Sequence, residues 1–422
     1  MLNGTLLQAQ EFLSLKGAAK ILLEKNFDIL VSYNQKKQAE VNNTAGNAGQ
    51  LPTISASSTI EYGLNNTQLT FSDGRQTKNP NAGTINLMAG VALNYTFFDG
   101  GIMFLNKDKL NLAQRLSEEQ LKATIQQSLY QLISTYTTAL LQQKQLAALD
   151  TAMALAAARR DLSEMKFKNG TSAKVDYLQA AVDFNARQAE FLNQQIVLSN
   201  QMTQLNALLG FDPNTKHVLT DNVPIHLNLK KEQEQLWLLN SPQVQIFNTQ
   251  KEIAEIDAKI SSRQWMPKLS LNADYSYNLT RSDAGILAYN RSFGPGAALT
   301  LQMPLFDGGN INRIKKVQGL EARRQELLFS KQNLMTAAQY KNAWNNYENA
   351  LTRYDLEKET VSLSRENKMI QQARFKVGLA TAIETREAEN SYVQSLQRLF
   401  KAEYDLQISE AEINMILGKL VE

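Results

Sequence analysis

Phe98-Asp99-Gly100-Gly101 leads into Ile102-Met103-Phe104-Leu105 and then into a run, ending at Phe167, that contains neither proline nor glycine. Proline and glycine are the residues that interrupt helices, so their absence over this length carries information. Apolar side chains recur at helical spacing, at Leu105, Leu112, Leu116, Leu121, Ile125, Leu129, Leu132 and Tyr136, which lines one face of an amphipathic helix. From Ile102 to Phe167 the run has 66 residues, or about 100 Å at ~1.5 Å per residue. No globular domain needs such a helix, and one this polar persists only when it packs sideways against others.

The same reading applies a second time. Phe98-Asp99-Gly100-Gly101 returns as Phe306-Asp307-Gly308-Gly309, Phe167-Lys168-Asn169-Gly170 as Phe375-Lys376-Val377-Gly378, and Leu208-Leu209-Gly210 as Ile416-Leu417-Gly418, always 208 residues on. Leu51-Pro52-Thr53-Ile54 matches Met266-Pro267-Lys268-Leu269 at a slightly larger offset. The period is far beyond that of a solenoid repeat and implies two copies of one large unit. Prolines are missing from 81–212 and from 305–422, so each copy ends in a long helical hairpin. Gly170 and Gly378 supply left-handed caps, Thr171 and Ser172 can cap the returning helix, and the tips fall at about 168–174 and 376–382.

Ahead of each hairpin stand two segments with the alternation of a half-buried strand. The clearest sets Leu269, Leu271, Ala273, Tyr275 and Tyr277 against Ser270, Asn272, Asp274, Ser276 and Asn278. Another sets Val91, Leu93, Tyr95 and Phe97 against Ala92, Asn94 and Thr96, and a third Leu299, Leu301, Met303 and Leu305 against Thr300 and Gln302. The weakest runs from Thr53 to Tyr62. Each has about ten residues, the length of a tilted membrane-spanning strand, and polar loops at 64–86 and 278–294 are expected to join the pairs. No neighbouring segment is suited to cover the apolar faces, so Leu93, Tyr95, Leu269, Leu271, Tyr275, Leu299 and Leu301 are candidate lipid-facing positions. The competing reading is a soluble sheet with one wet face. Four strands cannot close a barrel, and open edges are not tolerated in lipid. Small barrels start at about eight strands and would be filled by side chains, whereas about twelve leave a lumen. Polar inner faces therefore favour three copies.

Other chemistry is thinly supported. The net charge is +3 with no long basic run, which argues against nucleic acid. The absence of cysteine excludes disulfides, thiolate metal sites and a cysteine nucleophile. No apolar run reaches the length of a transmembrane helix. The start carries no charged and then apolar leader, and a mature form with its signal removed is expected. His217 and His226 read as loop residues without metal-ligand spacing, Trp237, Trp265 and Trp344 as packing or interface residues, and Phe-Asp-Gly-Gly as a strand-to-helix turn lacking the lysine and spacing of a phosphate loop. No catalytic constellation, cofactor site or metal site is found, so an enzyme is not expected.

A strand ending in Phe-Asp-Gly-Gly before a very long helix, a Phe-Lys-x-Gly tip before a second helix, and a Pro-led strand, each occurring twice, resemble the TolC family of outer-membrane efflux proteins over nearly the whole chain. The resemblance implies a mainly α fold with a transmembrane β-barrel portion. Its plan would be a first repeat over 1–210 (an N-terminal helix, strands about 51–62 and 87–98, hairpin 102–210), an equatorial segment over 211–240, and a second repeat over 241–422 (a helix, strands about 268–278 and 296–306, hairpin 309–418). It implies a homotrimer with a twelve-stranded barrel in outer-membrane lipid and an α-helical tunnel in the periplasm. A periplasmic adaptor (membrane fusion) protein and an inner-membrane pump are the implied partners, and passive exit in efflux or type I secretion the implied function. A structural coiled-coil scaffold without a pore is the alternative.

The family's hairpin tips close the tunnel and meet the adaptor. Carried over by position, the tip candidates are Lys168, Asn169, Gly170 and Thr171 in the first hairpin and Phe375, Lys376, Gly378 and Leu379 in the second. Glu384 and Glu387 fall where the family often has carboxylates lining the periplasmic aperture, and Asp176 is the first-repeat candidate. Three copies of such a pair would form a ring that attracts cations. Thr381-x-x-Glu384 is also a capping box, which would employ Glu384 structurally, whereas the aligned position in the first repeat is Ala173. Family members can lock the tip with a tyrosine and an arginine. Phe375 and Ala380 stand there instead, so closure here is expected to rest on other contacts.

Overall fold

A computed structural model describes residues 11–220, 229, 241–284 and 287–420. In chain order the elements are β1 (Glu11–Leu13), α1 (Leu15–Lys25), α2 (Phe27–Asn42), β2 (Thr53–Thr70), β3 (Gln76–Phe98), α3 (Ile102–Lys168), α4 (Lys174–Leu208), β4 (His217–Leu219), α5 (Pro242–Arg263), β5 (Lys268–Ser282), β6 (Tyr289–Gln302), α6 (Asn310–Lys376) and α7 (Ala382–Ile416). The bounds of α6 and α7 are those of α3 and α4 shifted by the same 208 residues, and the paired helices have equal lengths of 67 and 35 residues.

The chain divides into two compact units. One comprises Met1–Lys36, Ser117–Phe247 and Phe329–Glu422, the other Lys37–Leu116 and Asn248–Leu328. In the first, the core repeats with the sequence. Leu132, Tyr136, Ala139, Leu205 and Leu209 are buried together in one cluster, and Tyr340, Trp344, Tyr347, Ile413 and Leu417, the positions 208 residues on, are buried together in another. Toward the tips alanine is prominent among the buried apolar residues, at Ala148, Ala152, Ala156 and Ala180 beside Leu149 in the first hairpin and at Ala388 and Ala402 beside Val361 and Val393 in the second. Alanine lets helix backbones approach closely and carries no helix-propensity penalty. Ser364 and Ser395 add a buried hydroxyl pair at 2.6 Å between α6 and α7. β1 pairs in parallel with β4, and the Tyr136 hydroxyl donates to the Leu13 carbonyl at 2.8 Å.

In the second unit, β2, β3, β5 and β6 form one antiparallel sheet in that order. Its entry into each long helix explains the Phe-Asp-Gly-Gly motif. Asp99 accepts from the Met103 N–H at 2.9 Å and Asp307 from the Ile311 N–H at 2.6 Å, so each aspartate caps its helix. Gly100 and Gly101 have φ of 74° and 77°, and Gly308 and Gly309 of 70° and 79°. Two consecutive left-handed residues are what the sharp strand-to-helix turn requires, and glycine adopts them without steric cost.

The strands differ from expectation in length. Residues 64–70 and 76–86, expected as loop, continue β2 and β3, leaving a connection of only 71–75. The register explains this. Apolar alternation persists through Tyr62, Leu64 and Ile85, and Asn81, at φ 57°, absorbs a bulge where Asn65↔Ala82 gives way to Thr67↔Asn79. β5 likewise runs on to Ser282 and β6 begins at Tyr289. At its far end β6 stops at Gln302 instead of continuing to Phe306, because Pro304 has no N–H to give a ladder. His217 lies on β4 rather than in a loop, its ring 5.1 Å from that of Phe211. Of the expected equatorial segment, 221–228 and 230–240 lie outside the described residues, as do His226 and Trp237. Trp344 is buried in the second core cluster, whereas Trp265 is half exposed.

Candidate functional site

Two regions hold the candidate residues, a sheet with unlike faces and the hairpin tips. Directly paired residues in an antiparallel sheet share a face. The pairing Ile54↔Leu93, Tyr95↔Leu271, Val91↔Tyr275, Leu269↔Leu301 and Leu271↔Leu299 therefore gathers all seven candidates on one side. Leu299 and Leu301 are 66% and 69% exposed there. The opposite side is polar, with Thr96 and Ser270 hydroxyls 3.1 Å apart and the Asn272 amide donating to the Thr300 hydroxyl at 3.2 Å. β2 and β6 each have a strand neighbour on one side only.

At the tips, both hairpins turn alike. The Thr171 N–H donates to the Lys166 carbonyl and the Leu379 N–H to the Arg374 carbonyl, each at 2.8 Å, and Gly170 and Gly378 hold φ of 71° and 79°. These are Schellman closures, which satisfy the last helical carbonyls. Lys168, Asn169, Gly170, Thr171, Lys376, Gly378 and Leu379 are exposed and Phe375 is half-buried. The Lys166 ammonium lies 4.7 Å from the centre of the Phe375 ring, so the two tips touch through a cation–π contact. Lys168 pairs with Glu164 at 2.8 Å, and that hydrogen bond raises its pKa.

The three carboxylate candidates differ. Glu384 forms the capping box with Thr381, accepting from its N–H at 2.7 Å and its hydroxyl at 3.0 Å, while the Glu384 N–H donates to the Thr381 hydroxyl at 3.2 Å. The Thr381 N–H first, then its hydroxyl, holds the Glu384 carboxyl below the usual glutamate range. Glu387, one turn on and exposed, makes no such contact among the described residues. Asp176 accepts from the Ser172 hydroxyl at 2.6 Å, and Ala173 provides no side-chain cap.

Above the tips lies a cluster that sequence reasoning missed. Arg159 of α3, only 9% exposed, pairs with Glu389 of α7 and reaches Asp183 of α4 at 3.7 Å. Arg386 of α7 approaches Asp183 at 3.4 Å, Gln372 of α6 donates to Glu389 at 3.0 Å, and Arg187 of α4 bonds Asn390. These charges join the two hairpins of one chain. The contacts that cross between hairpins, Arg159–Glu389, Arg386–Asp183 and Arg187–Asn390, link residues 203 to 230 apart, and no local pattern marks them.

The chain has counterparts among known proteins. The family model described as outer membrane efflux protein matches residues 18–211 and 235–419. The chain belongs to this family. Its place is accordingly the outer membrane, and the family is one of transport proteins. Two curated relatives are the alkaline protease secretion protein AprF of Pseudomonas aeruginosa, 20% identical over 320 residues, and the outer membrane protein TolC of Vibrio cholerae, 21% identical over 349. The matches cover 73% and 80% of this chain, and 64% of AprF and 77% of TolC, so the chain spans just under two thirds of the length of AprF. Among solved structures, the CmeC outer membrane channel of Campylobacter jejuni superposes with a TM-score of 0.81 at 14% identity, covering 96% of this chain and 85% of that one. The mostly helical fold with two tandem strand-and-hairpin repeats is thus the fold of this family.

Proposed function

We propose that three copies of the chain form a passive exit duct across the outer membrane for an efflux or secretion system. The observation that carries this reading is the sheet, apolar on one face, polar on the other, with both edge strands open. An isolated four-stranded sheet of this kind exposes backbone groups that lipid cannot satisfy. Pairing β6 of one copy with β2 of the next removes every edge. Three copies give about twelve strands, with the polar faces around a lumen. Leu93, Tyr95, Leu269, Leu271, Tyr275, Leu299 and Leu301 then face lipid. A coiled-coil scaffold would need a cover for that face, and no described element provides one.

The hairpin tips meet a periplasmic adaptor, and an inner-membrane pump supplies the energy. Glu384 and Glu387, with Asp176 contributing from the first repeat, set the charge of the aperture. The Arg159–Asp183–Glu389 cluster keeps the two hairpins of one copy together where a tyrosine–arginine lock is lacking. Single-channel recording in planar bilayers tests the duct. Purified protein conducts and favours cations, and Glu384→Gln with Glu387→Gln lowers that preference severalfold. Protein that inserts without conducting would contradict the duct, and unchanged selectivity would remove these glutamates from the aperture.

A further inference from the structure

The apolar face of the sheet carries two cations where its apolar character ends. Arg281 stands opposite Tyr289 and Arg291 opposite Leu279, so both side chains lie on one face as diagonal neighbours, roughly 7 Å apart at their Cα atoms. Both residues are exposed, and neither has an ion-pair partner among the described residues. Asp283, two residues beyond Arg281, does not neutralise them. Its N–H donates to the Gly83 carbonyl at 2.9 Å and its carboxylate lies over Gly83 beside Tyr62, toward β3 and away from β6. In the pairing of β6 with the next copy's β2 proposed above, no acidic side chain would be brought beside them. The matching face of its β2 is Ile54, Ala56, Ser58, Ile60, Tyr62 and Leu64, none acidic.

Their height on the sheet is informative. Leu269 to Leu279 spans about 34 Å along the strand, or about 26 Å in height at a tilt of about 40°, close to the ~25 Å apolar band of a membrane barrel. The arginines thus stand at the upper rim of that band, among Tyr277, Tyr289 and Phe293, at head-group level. Adjacent like charges on a sheet repel, and an anion between them would relieve that repulsion through charge-assisted hydrogen bonds.

We propose that Arg281 and Arg291 bind the phosphate of an anionic membrane lipid whose acyl chains lie along Leu279, Tyr277 and Phe293. This rests on the reading that the apolar face meets lipid. Native mass spectrometry of the full-length protein titrated with phosphatidylglycerol or with phosphatidylcholine tests it. The wild type should retain phosphatidylglycerol preferentially, and Arg281→Gln with Arg291→Gln should weaken that preference by about tenfold or more, the scale of two basic contacts to an anionic lipid surface. Arg281→Lys with Arg291→Lys should keep most of it, and excess inorganic phosphate should not displace the lipid. Equal retention of the two lipids by the wild type, or an undiminished preference in the double glutamine variant, would overturn the proposal. Displacement by inorganic phosphate would overturn the assignment to lipid. Should the double variant not assemble, Arg291→Gln alone is expected to lose a severalfold part of the preference, and no loss again overturns it. The same spectra count chains, so a wild type that never appears as a trimer would refute the duct, a result distinct from trimers without lipid preference.

Discussion

Glu384 combines two roles in one carboxylate. It closes the capping box with Thr381, and the same donors keep it ionised to lower pH than an ordinary glutamate. Because the folded value is depressed, the stabilisation it gives is fully present above the unfolded glutamate value and fades as pH falls through the lower folded value. Thr381→Ala removes the hydroxyl and leaves the N–H, so the midpoint of Glu384 should move up toward the ordinary value without fully reaching it. A pH titration of the cation preference reads this shift, and an unmoved midpoint would separate Glu384 from the current path. Arg159 belongs to the same scale. Replacing it with methionine leaves Glu389 and Asp183, 13% and 20% exposed, without their shared cation. The cost should be about 2 kcal/mol, between that of a surface pair and that of a buried one. Thermal unfolding of Arg159→Met measures it, and a melting temperature equal to that of the wild type would show that the hairpins do not depend on the cluster. The two cases also differ in legibility. Thr381 and Glu384 are three residues apart and could be read from the sequence, whereas Arg159 and Glu389 meet only because two repeats fold side by side.

The strand-to-helix turn shows how one motif can carry unequal constraints in its two copies. Gly100 and Gly308 share nearly the same left-handed φ. A Cβ on Gly100 would come within 2.7 Å of the Met266 Cβ, whereas one on Gly308 would have nothing within 4 Å. Gly308→Ala should therefore cost about 1 kcal/mol of backbone strain, and Gly100→Ala clearly more, because Met266 must also move. Comparing the two melting temperatures checks this, and equal losses would mean that Met266 yields freely. The tips follow the Gly308 pattern, since a side chain at Gly170 or Gly378 would meet open space and bear only the strain of a left-handed φ. Gly378→Val should therefore cost more than the ~1 kcal/mol of an alanine, because a β-branched residue is strained at φ 79°, yet confine that strain to the tip, impairing efflux without loss of folding, while a chain that fails to fold would assign the glycine to capping alone. At this scale the long hairpin helices were readable closely, because glycine and the lack of proline mark their extent, whereas the single N-terminal helix expected is two, α1 and α2, with Asn26 between them. The strand extensions were not readable. Asn65, Asn66, Asn79, Pro80, Asn81 and Gly83 have the composition of a loop, yet pairing between β2 and β3 keeps most of this stretch extended.

For the whole molecule, the two-faced sheet, whose apolar side no described element covers, is the feature on which the proposed assembly of several copies rests. A charge at the centre of that side should cost roughly 2–4 kcal/mol per copy if the face meets lipid. Leu271→Arg should accordingly block membrane assembly, and ordinary insertion of this variant would count against a lipid-facing sheet. The repeat and the hairpins were legible in the sequence, and the expectation of more than one copy was argued there from four strands alone. Which strands stand at the edges could not be read there, since the order β2-β3-β5-β6 appears only in the folded sheet. Electron microscopy of the detergent-extracted protein addresses the central claim most directly. A hollow particle with three-fold symmetry, about 100 Å or more in length as helices of this size require, is the predicted result. Solid rods, or a monomer that stays in solution without detergent, would contradict it.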